Sequence, residues 1–370
     1  MTAGSGAAPT TGTRPVRAQS GARIAAHTPT YAAIDLGTNN CRMLIARPDA
    51  AGFRVVDAFS RIVRLGEGLG EAGALSEAAM ARTISALHIC ARKMRRKGVA
   101  RARSIATEAC RQAENCDQFL DRVAAETGIT FEVISRREEA ALALSGCVPL
   151  LDDDARRALV FDIGGGSTEL VWLRCDGVIA NQIIGWTSLP CGVVSLSERH
   201  GGDRVTADAY AAMVDEAGRL LAPFNTAHGV AGEVAAGGVQ LIGTSGTVTT
   251  IAGVLLDLPK YNRDLIDGIR LDFGDVRRVT EDLLDLDLAA RAAIPSIGPE
   301  RADLVIAGCA ILEAIERAWP VGHLTVADRG LREGMLVELM RQDGHRDSRA
   351  KGGHIGEHDA IGSHPAPGAD

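Results

Sequence analysis

At 370 residues the chain is long for one domain and comfortable for two, and 46% apolar residues suffice for ordinary cores. A net charge of −7 and a pI near 5.8 argue against a broad nucleic-acid or membrane-binding surface, and no apolar run reaches the length of a membrane span. Eight cysteines (Cys41, Cys90, Cys110, Cys116, Cys147, Cys175, Cys191 and Cys309) contain no CxxC pair, which suits a reducing cytoplasm rather than a disulfide framework or a zinc site.

Residues 1–30 are rich in Ala, Gly, Thr, Ser and Pro and read as a disordered tail rather than a targeting peptide, despite Arg14, Arg17 and Arg23. A strand pair over 31–47 follows, with a third antiparallel strand predicted at Gly52–Asp57 and a loop from Arg61 to Gly70. Ser76 is a candidate N-cap for a helix whose apolar positions are Met80, Ile84, Leu87, Ala91 and Met94. Lys93, Arg95, Arg96 and Lys97 crowd its last turn, where cations suit the helix dipole, and Gly98 closes it. Strands at Arg103–Thr107 and Phe131–Ile134 alternate with helices at Asp117–Thr127 and around Arg137–Ala140. Asp152-Asp153-Asp154 reads as a turn between an N-terminal domain, 31–150, and a C-terminal domain, 151–341.

In the second domain three strand-like runs, Leu159–Asp162, Glu169–Cys175 and Gly177–Ile184, restart the pattern. Helices are predicted at Thr206–Asn225, after Thr244-Ser245-Gly246-Thr247, at 300–318 and at Arg332–Met340, with strands at Gln240–Gly243 and His323–Asp328. The segment 342–370 is polar, holds four of the nine histidines and reads as a second disordered tail.

Two stretches look like copies. Ala33-Ile34-Asp35-Leu36-Gly37-Thr38-Asn39-Asn40 and Val160-Phe161-Asp162-Ile163-Gly164-Gly165-Gly166-Ser167-Thr168-Glu169 share an apolar run, an Asp, an apolar residue, a Gly and small polar residues, offset by 127 positions. The apolar pattern resumes after each turn, so each copy reads as a β-hairpin. A Gly-rich turn brings backbone N–H groups to an anion without side-chain obstruction, and Thr38, Asn39, Asn40, Ser167 and Thr168 add polar donors. An Asp before each turn would repel phosphate unless a divalent cation stood between them. The pair therefore predicts two phosphate-holding turns facing each other across an interdomain cleft.

These turns resemble the phosphate loops of the actin, sugar-kinase and heat-shock-chaperone ATPase superfamily. Within it the chain resembles the exopolyphosphatase / guanosine pentaphosphate phosphatase (Ppx/GppA) family. Besides the two turns, the resemblance is carried by Ala106 through Arg111, Glu132 through Ala140, Ser188 through Gly192 and Gly243 through Thr247. It implies an α/β fold of two actin-like (ribonuclease-H-like) domains, each a mixed sheet flanked by helices. It implies removal of terminal phosphate from inorganic polyphosphate, or alternatively of the 5′ γ-phosphate of guanosine pentaphosphate, with Mg2+ or another divalent cation. By the same resemblance Glu139 is the general base and Arg111 holds the transferred phosphate. Asp35, Asp162 and Glu169 are the metal candidates, Gly164, Gly165 and Gly166 cradle phosphate, and Gly243, Ser245 and Gly246 form a further phosphate- or nucleotide-side loop.

The chain departs from the family pattern at Asn39-Asn40, where Asn-Ser is common, and at Ser135-Arg136-Arg137, where Ser-Gly precedes the Glu pair. It is similar to the short two-domain members, without the further helical domain of the longer ones. An ATP-dependent kinase and a non-catalytic alarmone sensor are the alternatives, and Glu139 with both turns weighs against them. Neither nucleic acid nor membrane is expected as a partner, and a homodimer is left open.

Overall fold

The computed structural model describes residues 28–50, 52–176 and 182–345. Of the tails expected at 1–30 and 342–370, residues 1–27 and 346–370 lie outside the described residues, as does the start of the strand expected at Gly177, whereas Thr30 already belongs to a strand and Gln342 to a helix. Two mixed sheets carry the fold. The first contains β1 (Thr30–Leu36), β2 (Asn40–Asp49), β3 (Gly52–Ile62), β4 (Val99–Ala106) and β5 (Glu132–Val133), in the order β3-β2-β1-β4-β5. The second contains β6 (Arg157–Ile163), β7 (Thr168–Arg174), β8 (Gln182–Leu189), β9 (Val239–Thr244), β10 (Arg270–Asp272) and β11 (His323–Ala327), in the order β10-β11-β9-β6-β7-β8. Both begin with three antiparallel strands, and the central strand then pairs in parallel with the next strand of its sheet, β1 with β4 and β6 with β9. The internal duplication read from two turns thus extends to strand order.

β1 and β6 are almost wholly buried, as continuous apolar runs at the centre of covered sheets should be. The helix Glu77–Lys97 covers one face of the first sheet, starting where Ser76 Oγ accepts from Ala79 N at 3.2 Å and ending at left-handed Gly98. Its terminal cations turn back onto Asp57, with Lys93 Nζ 2.6 Å from the carboxylate and Arg96 and Lys97 3.6 and 3.7 Å away. They serve the helix end and not the cleft. β3 runs on to Ile62, beyond the predicted Asp57, and the helix expected from 300 begins at Val305, after a turn through Arg301–Leu304.

The sheets are held together by two exchanged helices. The helix Arg136–Cys147 lies between them, with Leu142 in the core under β1 and Ala140, Leu144 and Cys147 in the core under β6. The last helix, Leu331–Gln342, leaves the second sheet and packs Leu331, Met335, Leu336 and Leu339 against Tyr31, Ala33 and Leu44 of the first. Each buried leucine contributes about 1.5–3 kcal/mol to that union. The two helices cross in near backbone contact, since a Cβ on Gly334 would stand 2.0 Å from Leu142 O and one on Gly146 2.2 Å from Gly330 O. Just past the Leu331–Gln342 helix, Tyr31 Oη donates to Asp343 at 2.7 Å, which fixes the exit of that helix beside β1.

Candidate active site

β1 and β6 both end, at their C-terminal edges, in the copied turns. Gly37 N donates to Asn40 O and Gly164 N to Ser167 O, each at 2.9 Å, so the two hairpins close in the same way. Strand register then sets Asp35 opposite Arg42 and Asp162 opposite Glu169. The turns meet face to face: a Cβ on Gly165 would lie 3.1 Å from Thr38 Cβ, and one on Gly166 3.0 Å from Thr38 Oγ1. A side chain at either position would press on Thr38 and force it to shift by a few tenths of an ångström. The backbone N–H groups of Gly165 and Gly166 donate to no group among the described residues.

One cleft between the sheets is lined by Asp35, Thr38, Asn39, Asn40, Glu139, Asp162, Gly164, Gly165, Gly166, Ser167, Glu169 and Ser245. Glu139 enters it from the first turn of the Arg136–Cys147 helix, whose N-cap Ser135 accepts from Glu138 N at 3.2 Å. Its neighbour Glu138 points away and pairs with Arg103. Arg111 rises from the short helix Glu108–Gln112, and its Nη2 is 2.8 Å from Glu139 Oε2. The contact lies off the line of a hydrogen bond, and that buried oxygen accepts none. Arg111 is oriented instead by Glu108 Oε2, which accepts from its Nε at 3.0 Å and its Nη2 at 2.7 Å, and by Ile134 O at 2.9 Å. Glu108 also binds Arg136 and Gln112, and these partners hold its carboxyl below the usual range although burial pushes the other way.

Two sequence candidates stand behind the cleft. Thr168 donates its hydroxyl to Cys191 O at 2.6 Å, away from the turn's open side, and so ties the hairpin to the Cys191-Gly192 bend. Gly243 lies inside β9, where a Cβ would strike Phe161 and Val248. Ser245, by contrast, holds φ at 81°, a costly backbone for a non-glycine residue, and opens the helix Ser245–Leu255 toward the cleft beside Gly246.

Several cleft residues escaped sequence reading. Arg42 is the duplicate of Glu169 at the same offset of 127, and that arithmetic was the available signal. The Asp328-Arg329-Gly330 turn and Arg332 and Glu333 after it also line the cleft. Gly330 N donates to Glu333 Oε2 at 2.9 Å, and Arg329 Nε binds Asp267 at 2.9 Å. Arg301, near Arg42 in an adjoining pocket, forms no ion pair among the described residues, and burial lowers its pKa, with Arg42 adding to the effect.

The carboxylates are crowded and dry. Burial pushes Asp35 up to about 6, with Arg42 and Arg332 opposing. Burial, then Asp162, pushes Glu169 up to about 7 against the hydroxyls of Ser167 and Ser188, which donate to it at 2.7 and 2.8 Å. Burial raises Asp162, and burial with nearby Glu169 raises Glu139 well above the carboxylate range. Asn39 Oδ1 and Asn40 Oδ1 are buried acceptors without donors. Buried carboxylates whose partners do not offset their burial, with orphan amide oxygens, are the donor set of a hard cation. No three metal-ligating side chains converge into a ready cage among the described residues. That suits an ion held by one or two carboxylates and by substrate oxygens.

Two mixed sheets joined at exchanged helices, with paired glycine-rich turns in the cleft, define an actin-like ATPase-type fold. The sequence profile of the Ppx/GppA phosphatase family matches residues 44–343, and the chain belongs to that family. It is 32% identical over 324 residues to a Photobacterium profundum protein named guanosine-5′-triphosphate,3′-diphosphate pyrophosphatase, covering 87% of this chain and 62% of that one. The chain thus spans about three fifths of that relative's length. Among solved structures it is similar to a Ppx/GppA family member from Aquifex aeolicus, with TM-score 0.69, 26% identity and coverage of 86% and 99%. An exopolyphosphatase from Cytophaga hutchinsonii superposes with TM-score 0.75 at 26% identity, again covering 86% and 99%.

Proposed function

We propose that this chain is a phosphoanhydride hydrolase that removes the terminal phosphate of inorganic polyphosphate or of guanosine pentaphosphate. The observation that carries the reading is Glu139, a buried carboxylate whose Oε2 has only Arg111 Nη2 beside it, at 2.8 Å, in the cleft that both glycine-rich turns line. A water placed there gives its proton to Glu139 as its oxygen bonds to the terminal phosphorus. The bridging P–O bond breaks, and the shortened chain leaves with the electron pair. The open N–H groups of Gly165 and Gly166 hold phosphoryl oxygens, and Thr38 supplies a hydroxyl from the facing turn. Arg111, with both edges of its guanidinium taken up by Glu108, Ile134 O and Glu139, adds positive charge behind Glu139 for the transferred group. One or two of Asp35, Asp162 and Glu169, with substrate oxygens, would hold Mg2+ or another divalent cation, which would supply charge neutralisation between carboxylate and phosphate.

Both substrates end in the same chemical group, so one cleft serves either. The name of the Photobacterium relative favours the nucleotide, and that of the Cytophaga structure favours polyphosphate. No helix among the described residues is long and apolar enough to cross a membrane. Eight free cysteines favour a reducing, cytoplasmic setting. Phosphate release from short polyphosphate, long polyphosphate, guanosine pentaphosphate and ATP, each with Mg2+, tests the reading. Release from the first three above ATP is expected, and release from ATP alone would replace it with a nucleotide triphosphatase.

A further inference from the structure

The segment Val63–Gly68, between β3 and the short helix Leu69–Ala72, supports the first glycine-rich turn from behind. Val63 N and Arg64 N both donate to Asn39 O, at 2.8 and 3.0 Å, and Gly66 N donates to Thr38 O at 2.9 Å. A Cβ on Gly66 would stand 2.3 Å from Thr38 Cγ2, so the segment lies directly on the Thr38 side chain. Val63 and Leu65 are buried, and Arg82 Nε donates to Val63 O at 3.0 Å, which pins the segment to the helix Glu77–Lys97. Thr38 and Asn39 therefore move with it.

Arg64 holds φ at 47°, a backbone that glycine adopts freely and any other residue adopts at a cost. Its side chain reaches from the first half of the molecule to the second. Nη1 donates to Asp303 Oδ2 at 2.8 Å, and Nη2 donates to Asp303 Oδ1 at 3.0 Å and to Glu300 O at 3.2 Å. The receiving turn is braced from its own side. Ser197 Oγ donates to Asp303 O at 3.1 Å, and Arg291, only 2% exposed, donates to Ala302 O at 3.0 Å and to Asp203 O at 2.7 Å. A guanidinium fork on a fixed carboxylate sets orientation as well as distance, which a point charge does not. The position of Asp303 is thereby transmitted through Arg64 to the carbonyls of Thr38 and Asn39.

We propose that Arg64 is a positioning residue for phosphoryl transfer: its paired bonds to Asp303 set the first glycine-rich turn at the distance from Gly165 and Gly166 at which both turns grip one phosphoryl group. The inference rests on the hydrolase reading of the cleft. Arg64 acts through backbone atoms and touches no substrate. Its effect falls on the transition state, where a displaced donor is costly, more than on the entry of substrate.

The test measures kcat, KM and Tm in the full chain with Mg2+, for the wild type, Arg64→Gly, Asp303→Ala and the double variant. The substrate is whichever of tripolyphosphate and guanosine pentaphosphate the wild type cleaves, and rates are taken well below Tm. Arg64→Gly keeps the N–H that bonds Asn39 O and relieves the backbone, which offsets the loss of a part-exposed ion pair. Its Tm is expected to stay within about 3 °C of the wild type. Its kcat is expected to fall about ten- to a hundredfold, with KM within about threefold. Asp303→Ala should lose as much kcat, and the double variant no more than either, because the two side chains act as one unit. Wild-type kcat in Arg64→Gly overturns the inference, as does a raised KM at unchanged kcat, which would place the pair at substrate entry. Losses that multiply in the double variant also overturn it, as does a loss confined to Tm, which would leave the pair a structural clasp. Phosphate release from neither substrate by the wild type would overturn the hydrolase reading itself, and this inference with it.

Discussion

Replacing Glu108 by Gln removes one charge while keeping the side chain's size, in a carboxylate only 3% exposed. Its Oε2 accepts from Arg111 Nε and Nη2 and from Arg136 Nε, and its Oε1 from Arg136 and from Gln112 Nε2. An amide cannot satisfy that set, because whichever oxygen becomes NH2 then faces donors. If the amide keeps its oxygen toward Arg111, the two bonds at the other end are lost. Hydrogen bonds to charged groups contribute about 1.5–3 kcal/mol each. Arg136 is 46% exposed, so its share is discounted for solvent screening, and a total near 3 kcal/mol follows. At roughly 2–4 °C per kcal/mol, Glu108→Gln should lower Tm by about 6–12 °C. Turnover should fall as well, because Arg111 then bonds only a neutral amide oxygen and loses the charge that anchors it beside Glu139. Calorimetry and phosphate release on the same preparation check both. A Tm unchanged within error, or full turnover with a lowered Tm, would refute the assignment of Glu108 as the brace of Arg111.

Gly334→Ala forces the crossing helices apart, since its Cβ meets the backbone of Leu142 and not a movable side chain. A loss of about 1–3 kcal/mol or more is expected from overpacking, and a denaturant melt matching the wild type would disprove the crossing. In chelator, stability should rise as the pH drops from about 7 toward 5. Asp35 and Glu169 are raised to about 6 and about 7, so in this window the folded chain binds more protons than the unfolded one. Mg2+ should flatten that slope, and a Tm that falls on acidification over this range would contradict the buried, uncompensated carboxylates. Arg64 pairs with Asp303 through bonds of 2.8 and 3.0 Å from the first half of the chain to the second. Arg64→Ala should loosen the closed cleft and increase the radius of gyration measured by small-angle scattering, and an unchanged radius would remove that pair as a clasp.

The sequence made the hairpins legible because a buried strand, an Asp and a Gly-rich turn are local and were written twice. Glu139 was singled out through the family resemblance, because its motif is contiguous, and the structure places it in the cleft. Arg42 was hidden by the same duplication that reveals it, because the second copy carries Glu169 at the matching place and the eye seeks likeness, not charge reversal. The Asp328–Glu333 wall came from a strand and helix each recognised separately, and only the third dimension brings their junction to the cleft. Thr168 shows the limit of composition, since a hydroxyl in a phosphate turn reads as a donor until strand pairing turns it toward Cys191 O. The exchanged helices were equally invisible, because apolar periodicity gives a buried face without naming the sheet that buries it.

The central claim is that Glu139 takes the proton of the attacking water. Glu139→Gln keeps the shape of the side chain and removes the base, so kcat for phosphate release, from tripolyphosphate and guanosine pentaphosphate alike, should fall by about 10²–10⁴-fold with little change in substrate affinity. Wild-type release of phosphate by this variant would contradict the account.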